Sequence, residues 1–163
     1  MLALNFIWME SPVGRLKLLA DNAALLAVLW DDEQPIKRFN PVQQHNPTHP
    51  ILCLAAQQLT EYFTGQRQSF DVPLSMIGTD FQKQVWAALQ QIPYATTCSY
   101  LDIAQAIDNP KAVRAVGAAN GKNPLSIIVP CHRVIGKNGT LVGFGGGLDN
   151  KKTLLSLEQR FAR

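Results

Sequence analysis

Cys131 stands between Pro130 and His132, with Arg133 and Val134 following, and this short segment is the best equipped for chemistry in the chain. A thiol becomes a strong nucleophile only as its thiolate, so it needs a base or a cation beside it. His132 is placed to take the thiol proton, directly or through one water. A histidine in that role needs a third group to hold its tautomer, and Glu158 near the C-terminus is a carboxylate able to do so. Spacing alone does not bring Glu158 to His132. A solvated helix glutamate is the commoner meaning of such a residue, and an isolated buried cysteine is more often a small inert hydrophobe. A second group stands out in Lys111-Ala112-Val113-Arg114-Ala115, followed by Ala118 and Ala119. An alanine-rich helix is ordinarily a packed one. As the second helix of a helix-turn-helix pair, however, it would present a long cation amid small residues, which suits insertion into a minor groove. His45 and His49 lie at a ligand-like spacing near Cys53, but no fourth soft ligand accompanies them; a polar loop accounts for the three, and no metal is expected.

The elements that must position these residues can be read from pattern. Apolar runs at 3–8, 15–20 and 24–30, separated by Ser11-Pro12-Val13-Gly14 and Asp21-Asn22, predict a short antiparallel meander. Its cover is a helix from Pro50, with Ile51, Ala55, Leu59 and Phe63 at four-residue spacing and Gly65 as the stop. Residues 31–49 between them are polar and proline-rich and read as a loop. After a second linker, Gly65 to Gly78, Thr79 with Gln82 forms a capping box, opening a helix that carries Phe81, Val85 and Leu89 and ends at Ile92-Pro93. Ser99 with Asp102 opens a short helix through Ile107. Asn109 as N-cap with Pro110 at the first helical position predicts another, running to about Ala119 with Gly121 beyond it. These two short helices are the helix-turn-helix. Ile127-Ile128-Val129 reads as a buried extended run leading to Cys131. Val134 to Val142 reads as a hairpin turning at Asn138-Gly139, like the wing of a winged helix. A last helix is predicted from Asn150 to about Phe161.

Composition bounds the rest. The chain has 163 residues, 47% hydrophobic and 17% charged, which is globular and leaves no room for a largely disordered chain. No apolar run approaches the ~20 residues that cross a bilayer, and the N-terminus lacks a basic segment and a cleavage site, so a cytoplasmic protein is expected. Three cysteines at wide spacing argue against a disulfide framework and fit a reducing compartment. Residues 1–79 carry 5 basic and 7 acidic side chains, a net of −2, whereas residues 80–163 carry 10 and 5, a net of +5. The second half therefore reads as the candidate nucleic-acid side, on a charge that is a weak sign by itself because many basic faces are merely solvated.

Ile128-Val129-Pro130-Cys131-His132-Arg133-Val134 is similar to the active-site motif of the O6-alkylguanine-DNA alkyltransferases, the methylated-DNA-protein-cysteine methyltransferases. The resemblance extends back through Gly78-Thr79-Asp80-Phe81-Gln82, Val85-Trp86, Ile92-Pro93, Ser99-Tyr100, Ala112 to Gly117 and Asn120 to Pro124. It runs forward through Gly146-Gly147-Leu148, Leu154-Leu155 and Glu158, covering residues 78–160 in one register. It implies a ribonuclease-H-like α/β domain over residues 1–78, a small antiparallel sheet plus a helix. A mainly α, winged-helix-like domain over residues 79–163 would follow. It implies DNA repair by direct reversal: one irreversible transfer of an alkyl group from O6-alkylguanine in duplex DNA to Cys131, after minor-groove binding and base flipping, with O4-alkylthymine left open. His132 would be the base acting through a water and Glu158 its orienter. Tyr100 would press on the 3′ phosphate and hydrogen-bond the guanine. Arg114 would replace the flipped nucleotide, with Lys111, Ala115 and Lys122 also on the DNA side. The carbonyls of Cys131 and Val134 would accept from the guanine amine and the Gly145 N–H would donate to O6. Asn120 and Ser126 would shape the alkyl pocket, and Asn123 would brace the turn before Cys131. No cofactor is implied. The partner is DNA and not a membrane, and a monomer is expected, with clustering on DNA left open.

Three residues depart from the family pattern: Ala95, where glycine is usual and the turn is expected to change shape; Leu157, where histidine is frequent; and Phe144, where tyrosine is frequent. Two other functions remain open. A DNA-binding module without chemistry would not need Cys131. A cysteine hydrolase using Cys131, His132 and Glu158 is disfavoured by the helix-turn-helix in the same segment.

Overall fold

The computed structural model describes residues 3–33, 35–139 and 144–162. The chain divides into two compact units, Met1–Ile77 and Gly78–Arg163. In the first, β1 (Leu4–Met9), β2 (Leu16–Ala20) and β3 (Leu25–Trp30) form the expected antiparallel meander, with Phe6 opposite Leu19 and Leu18 opposite Val28. The first turn closes tightly because Gly14 takes a φ of 95°, its N–H donating to the Ser11 carbonyl at 3.0 Å. Helix α1 (Pro50–Phe63) lies on this sheet and buries Leu52, Ala55, Leu59, Tyr62 and Phe63, while Ile51 is only half-buried.

The stretch read as a loop contains a fourth strand, β4 (Gln43–His45), which pairs parallel to β1 and gives the sheet order β3-β2-β1-β4. The sheet is therefore mixed, not wholly antiparallel. Three polar residues on an edge carry no alternating pattern. What anchors them is the buried Asn5, whose Oδ1 accepts from Gln44 Nε2 at 2.8 Å and Asn46 Nδ2 at 3.1 Å. The three residues weighed as metal ligands have other employment. The His45 ring packs on Phe6, His49 Nδ1 caps α1 by accepting from the Leu52 N–H, and Cys53 Sγ donates to the Pro47 carbonyl.

The second unit comprises α2 (Asp80–Leu89), β5 (Cys98–Ser99), α3 (Tyr100–Ala106), α4 (Val113–Gly121), β6 (Val134–Ile135) and α5 (Leu148–Phe161). Both capping boxes form as the sequence predicts, Thr79 with Gln82 and Ser99 with Asp102. Trp86 of α2 is fully buried, and its indole N–H donates to the Ala119 carbonyl at 2.9 Å, fastening α2 to the end of α4. Gly78 is required beside it, since a Cβ there would lie 2.5 Å from the indole ring.

Four local expectations need correction. Helix α4 starts at Val113 rather than after Asn109. Asn109 to Ala112 close a separate turn, the Ala112 N–H donating to the Asn109 carbonyl at 3.0 Å, and the fixed φ of Pro110 suits the second position of a turn as well as the start of a helix. Gly121 is the last residue of α4, not the residue after it. Ile127 to Val129 is not extended: Ile127 has a φ of 74° and the segment folds as consecutive turns. Within the expected hairpin, Val134 and Ile135 pair in parallel with β5, and Lys137–Gly139 is a single 3₁₀ turn. The returning arm, from residue 140 to 142, lies outside the described residues.

Candidate active site

Cys131, His132 and Arg133 form one 3₁₀ turn, all three buried, against which α5 packs. Buried residues of α5 include Lys151, Leu154 and Glu158, at i, i+3 and i+7 on one stripe. That stripe carries Glu158 to His132, Nε2 to Oε2 at 2.7 Å, with both side chains fully buried. The contact that spacing left undecided is therefore made. Burial pushes the His132 pKa below its usual 6.5, although the Glu158 hydrogen bond and charge act the other way. The imidazole is neutral at neutral pH, its Nε2–H donates to the carboxylate, and Nδ1 is buried without a hydrogen-bond partner. Its lone pair is the ring's open acceptor.

Two groups in this site have no counterpart in the sequence reading. Arg133 Nε and Nη2 donate to the two oxygens of Glu158 at 2.9 and 3.0 Å, and Nη1 donates to the Ile92 carbonyl at 2.7 Å. Burial would raise the Glu158 pKa, but the hydrogen bonds and charges of His132 and Arg133 outweigh it and hold the carboxyl at about 2. Lys151 is fully buried, and its Nζ donates to the Val134 carbonyl at 2.6 Å. Burial lowers its pKa, while the negative form of Cys131 acts to raise it, which puts a cation within reach of a thiolate. A signal for Lys151 existed in its alignment with Leu154 and Glu158; Arg133 was legible only as a motif neighbour.

The remaining candidates fall around this centre. Tyr100 begins α3, its ring beside Gly117 of α4. Burial and the nearby Cys131 both raise its hydroxyl pKa, so it stays a donor. Asn123 Nδ2 donates to the Val129 carbonyl at 2.8 Å and its Oδ1 accepts from the Leu125 N–H at 2.9 Å, bridging the turns before Cys131. Asn120 faces inward from α4, donating to the Cys131 carbonyl at 3.4 Å, and Ser126 is buried beside the same turns. The Cys131 carbonyl also accepts the Val134 N–H, and the Val134 carbonyl accepts Lys151 Nζ. Gly145 is exposed with open space where a side chain would be.

Ala95 has a φ of 61°, the conformation a glycine would supply, so the turn keeps a left-handed residue despite the substitution. Its N–H donates to Glu158 Oε1 at 3.1 Å and its carbonyl accepts from Gln159 at 2.8 Å. Arg114, Ala115, Ala118 and Lys122 are exposed along α4, and Lys111 is exposed in the turn before it, giving a cationic face with a floor of small residues. Cys98 is a poor nucleophile, its thiol pushed up to about 11 by burial and Asp102.

Comparison with known proteins is unambiguous. Residues 80–160 match the family model for the 6-O-methylguanine DNA methyltransferase DNA binding domain, and residues 5–76 match that for its ribonuclease-like domain. A methylated-DNA--protein-cysteine methyltransferase of Methanosarcina acetivorans is 48% identical over 91% of this chain and 94% of its own length. One of Mycolicibacterium paratuberculosis is 46% identical over 93% and 90%. The crystal structure of Mycobacterium tuberculosis OGT in complex with DNA superposes with a TM-score of 0.87 at 43% identity, covering 99% of this chain and 95% of that one.

Proposed function

The chain belongs to the 6-O-methylguanine DNA methyltransferase family, and on that premise we propose that it repairs DNA by moving an alkyl group from guanine O6 to Cys131 Sγ, once per molecule. The observation that carries the reading is the buried hydrogen bond from His132 to Glu158, which leaves the Nδ1 lone pair unpartnered beside a buried cysteine.

A base stacked in a duplex hides its O6 substituent, so it must leave the stack at a cost of a few kcal/mol. The exposed face of α4 supplies the compensation: Lys111 and Lys122 meet phosphates, Ala115 and Ala118 allow close approach to the minor groove, and Arg114 fills the vacated position. The flipped guanine donates its amine to the Val134 and Cys131 carbonyls, receives the Gly145 N–H at O6, and fits its alkyl group against Asn120 and Ser126. The Cys131 proton then passes to His132 Nδ1, directly or through one water, leaving thiolate and imidazolium held by Glu158 and faced by Lys151. Sulfur attacks the alkyl carbon, the carbon–O6 bond breaks with its electron pair going to guanine, the departing base takes the Tyr100 hydroxyl proton, and the proton held by His132 restores the phenol through water, leaving thioether, guanine and neutral side chains. A thioether has no low-barrier return to a thiol, so the protein is consumed.

Every proposed contact comes from one chain, so one molecule per lesion is the working unit. Among the described residues no helix is long and apolar enough to cross a membrane. The test is intact mass and peptide mapping after incubation with a duplex carrying one O6-methylguanine. One added methyl confined to Cys131, and absent in Cys131→Ala, is expected. A duplex that binds but transfers nothing would leave a lesion-binding protein.

A further inference from the structure

The sheet of the first unit carries a cavity that the repair chemistry does not use. Trp8, Lys17 and Leu29 lie opposite one another on β1, β2 and β3, and Phe6, Leu19 and Ala27 form the next row on the same face. Ile36 and Phe39, from the stretch between β3 and β4, pack over the second row. Beside that cover remains a cavity of about 510 Å³, walled by Trp8, Trp30, Phe39 and Ile36 and reached by Lys17 and Gln43. Aromatic walls with a few polar groups in a space of this size are the make-up of a small-molecule pocket.

Lys17 is the only charged residue in those two rows, and it is half-buried. Its Nζ donates to Gln43 Oε1 and lies 4.6 Å from the Phe6 ring centroid and 5.7 Å from that of Trp8. Gln43 uses one ammonium donor and leaves others. Among the described residues Lys17 has no ion-pair partner. Burial lowers its pKa, and no carboxylate acts to raise it. The acids that line the cavity are engaged elsewhere. Asp31 pairs with Arg15 at 2.9 Å, and the Glu33 carboxylate accepts the Trp30 N–H at 3.1 Å. A cation held among aromatic rings without a counter-ion attracts an anion more strongly as the anion's apolar body displaces water.

We propose that this cavity binds a small organic monoanion, an aromatic carboxylate in its simplest form, with the acid group on the Lys17 ammonium and the ring against Trp8 and Phe39. The site lies in the unit without Cys131 and stands independently of the repair reading. Two other guests fit less well. A nucleic-acid backbone would meet Asp31 and Glu33, with Asp32 between them in the chain, whereas a monoanion needs only one cation. A quaternary ammonium is opposed by Lys17 and by Arg15, whose guanidinium already lies 3.9 Å from the Trp8 ring centroid.

The three tryptophans supply the readout, since Trp8 and Trp30 line the cavity and Trp86 is buried in the other unit. Nitrogen-15-labelled protein is titrated with 2-naphthoate and the indole N–H signals are followed. Those of Trp8 and Trp30 should move along one saturating curve while that of Trp86 stays. The neutral 2-naphthamide, of the same shape, should bind about tenfold more weakly or worse. In Lys17→Met the acid should fall to the affinity of the amide. No movement of Trp8 and Trp30 up to about 10 mM naphthoate overturns the proposal. So does equal binding of acid and amide, a preference for the acid that survives in Lys17→Met, or tighter binding of a naphthyltrimethylammonium ion. The comparison of acid with amide is made on the wild-type protein and holds whether or not the variant folds.

Discussion

The two units bury different kinds of polar group. In Met1–Ile77 the buried polar side chains are Asn5, Asn40, His49 and Gln58, with no ion pair of full charges among those described as buried. Each serves the backbone or a neighbouring loop: Asn5 anchors β4, His49 caps α1, and Gln58 bonds both the N–H and the carboxylate of Asp71. In Gly78–Arg163 the buried set includes His132, Arg133, Lys151 and Glu158, gathered around one cysteine. Neutral amides are an inexpensive way to tie down loops, because losing one strands only a neutral partner or a half-exposed one. Buried charges are tolerated where each finds a partner, as His132 and Arg133 do at Glu158 and Lys151 does at the Val134 carbonyl.

That contrast can be broken most directly by mutation. Glu158→Gln removes the anion from a four-donor carboxylate and leaves Arg133 charged and buried. Urea denaturation should show a loss of about 3 to 5 kcal/mol. Gln58→Leu, its counterpart in the other unit, should lose about 1 to 3 kcal/mol by stranding the Asp71 N–H. Equal losses would mean that charge burial is not what separates the units.

Acid sharpens the same comparison. The unfolded Glu158 carboxyl takes a proton near 4.5, whereas the folded one resists until about 2. Its contribution, about 3 kcal/mol, is therefore complete above pH 4.5 and disappears as pH falls toward 2. His132 acts earlier in the same direction: the unfolded imidazole protonates below 6.5 while burial keeps the folded one neutral, so stability starts to decline there. Glu33 in the first unit has the opposite sign, because burial raises its pKa, and its neutral-pH cost is relieved on acidification. Single-tryptophan variants retaining Trp86, or retaining Trp30, should report acid unfolding at higher pH for Trp86.

The smallest effect concerns the turn that braces the relay. Ala95 holds a φ of 61°, which costs an alanine about 1 kcal/mol relative to glycine. Ala95→Gly keeps the N–H to Glu158 and should raise the midpoint of urea unfolding by an amount worth about 1 kcal/mol or less, without changing the pH profile of Cys131 reactivity.

Much of this protein was legible before folding. The meander, the helix from Pro50, both capping boxes and the cysteine–histidine pair all depend on groups a few residues apart, where the chain itself enforces proximity. Errors arose where two local solutions compete. Asn109-Pro110 satisfies a turn as well as a helix start, and Gln43–His45 has no pattern of its own because its partner strand lies some forty residues away.

By itself the sequence determined the candidate nucleophile and base, adjacent as Cys131-His132, and a family motif spanning the second half of the chain. Only the tertiary structure decided that Glu158 reaches His132, that Arg133 closes on the same carboxylate, and that Lys151 turns inward to Val134. Those contacts join residues 17 to 26 positions apart on different elements. They exist because the apolar packing that includes Leu154 seats α5 against the Cys131 turn, and no local pattern encodes where a helix docks.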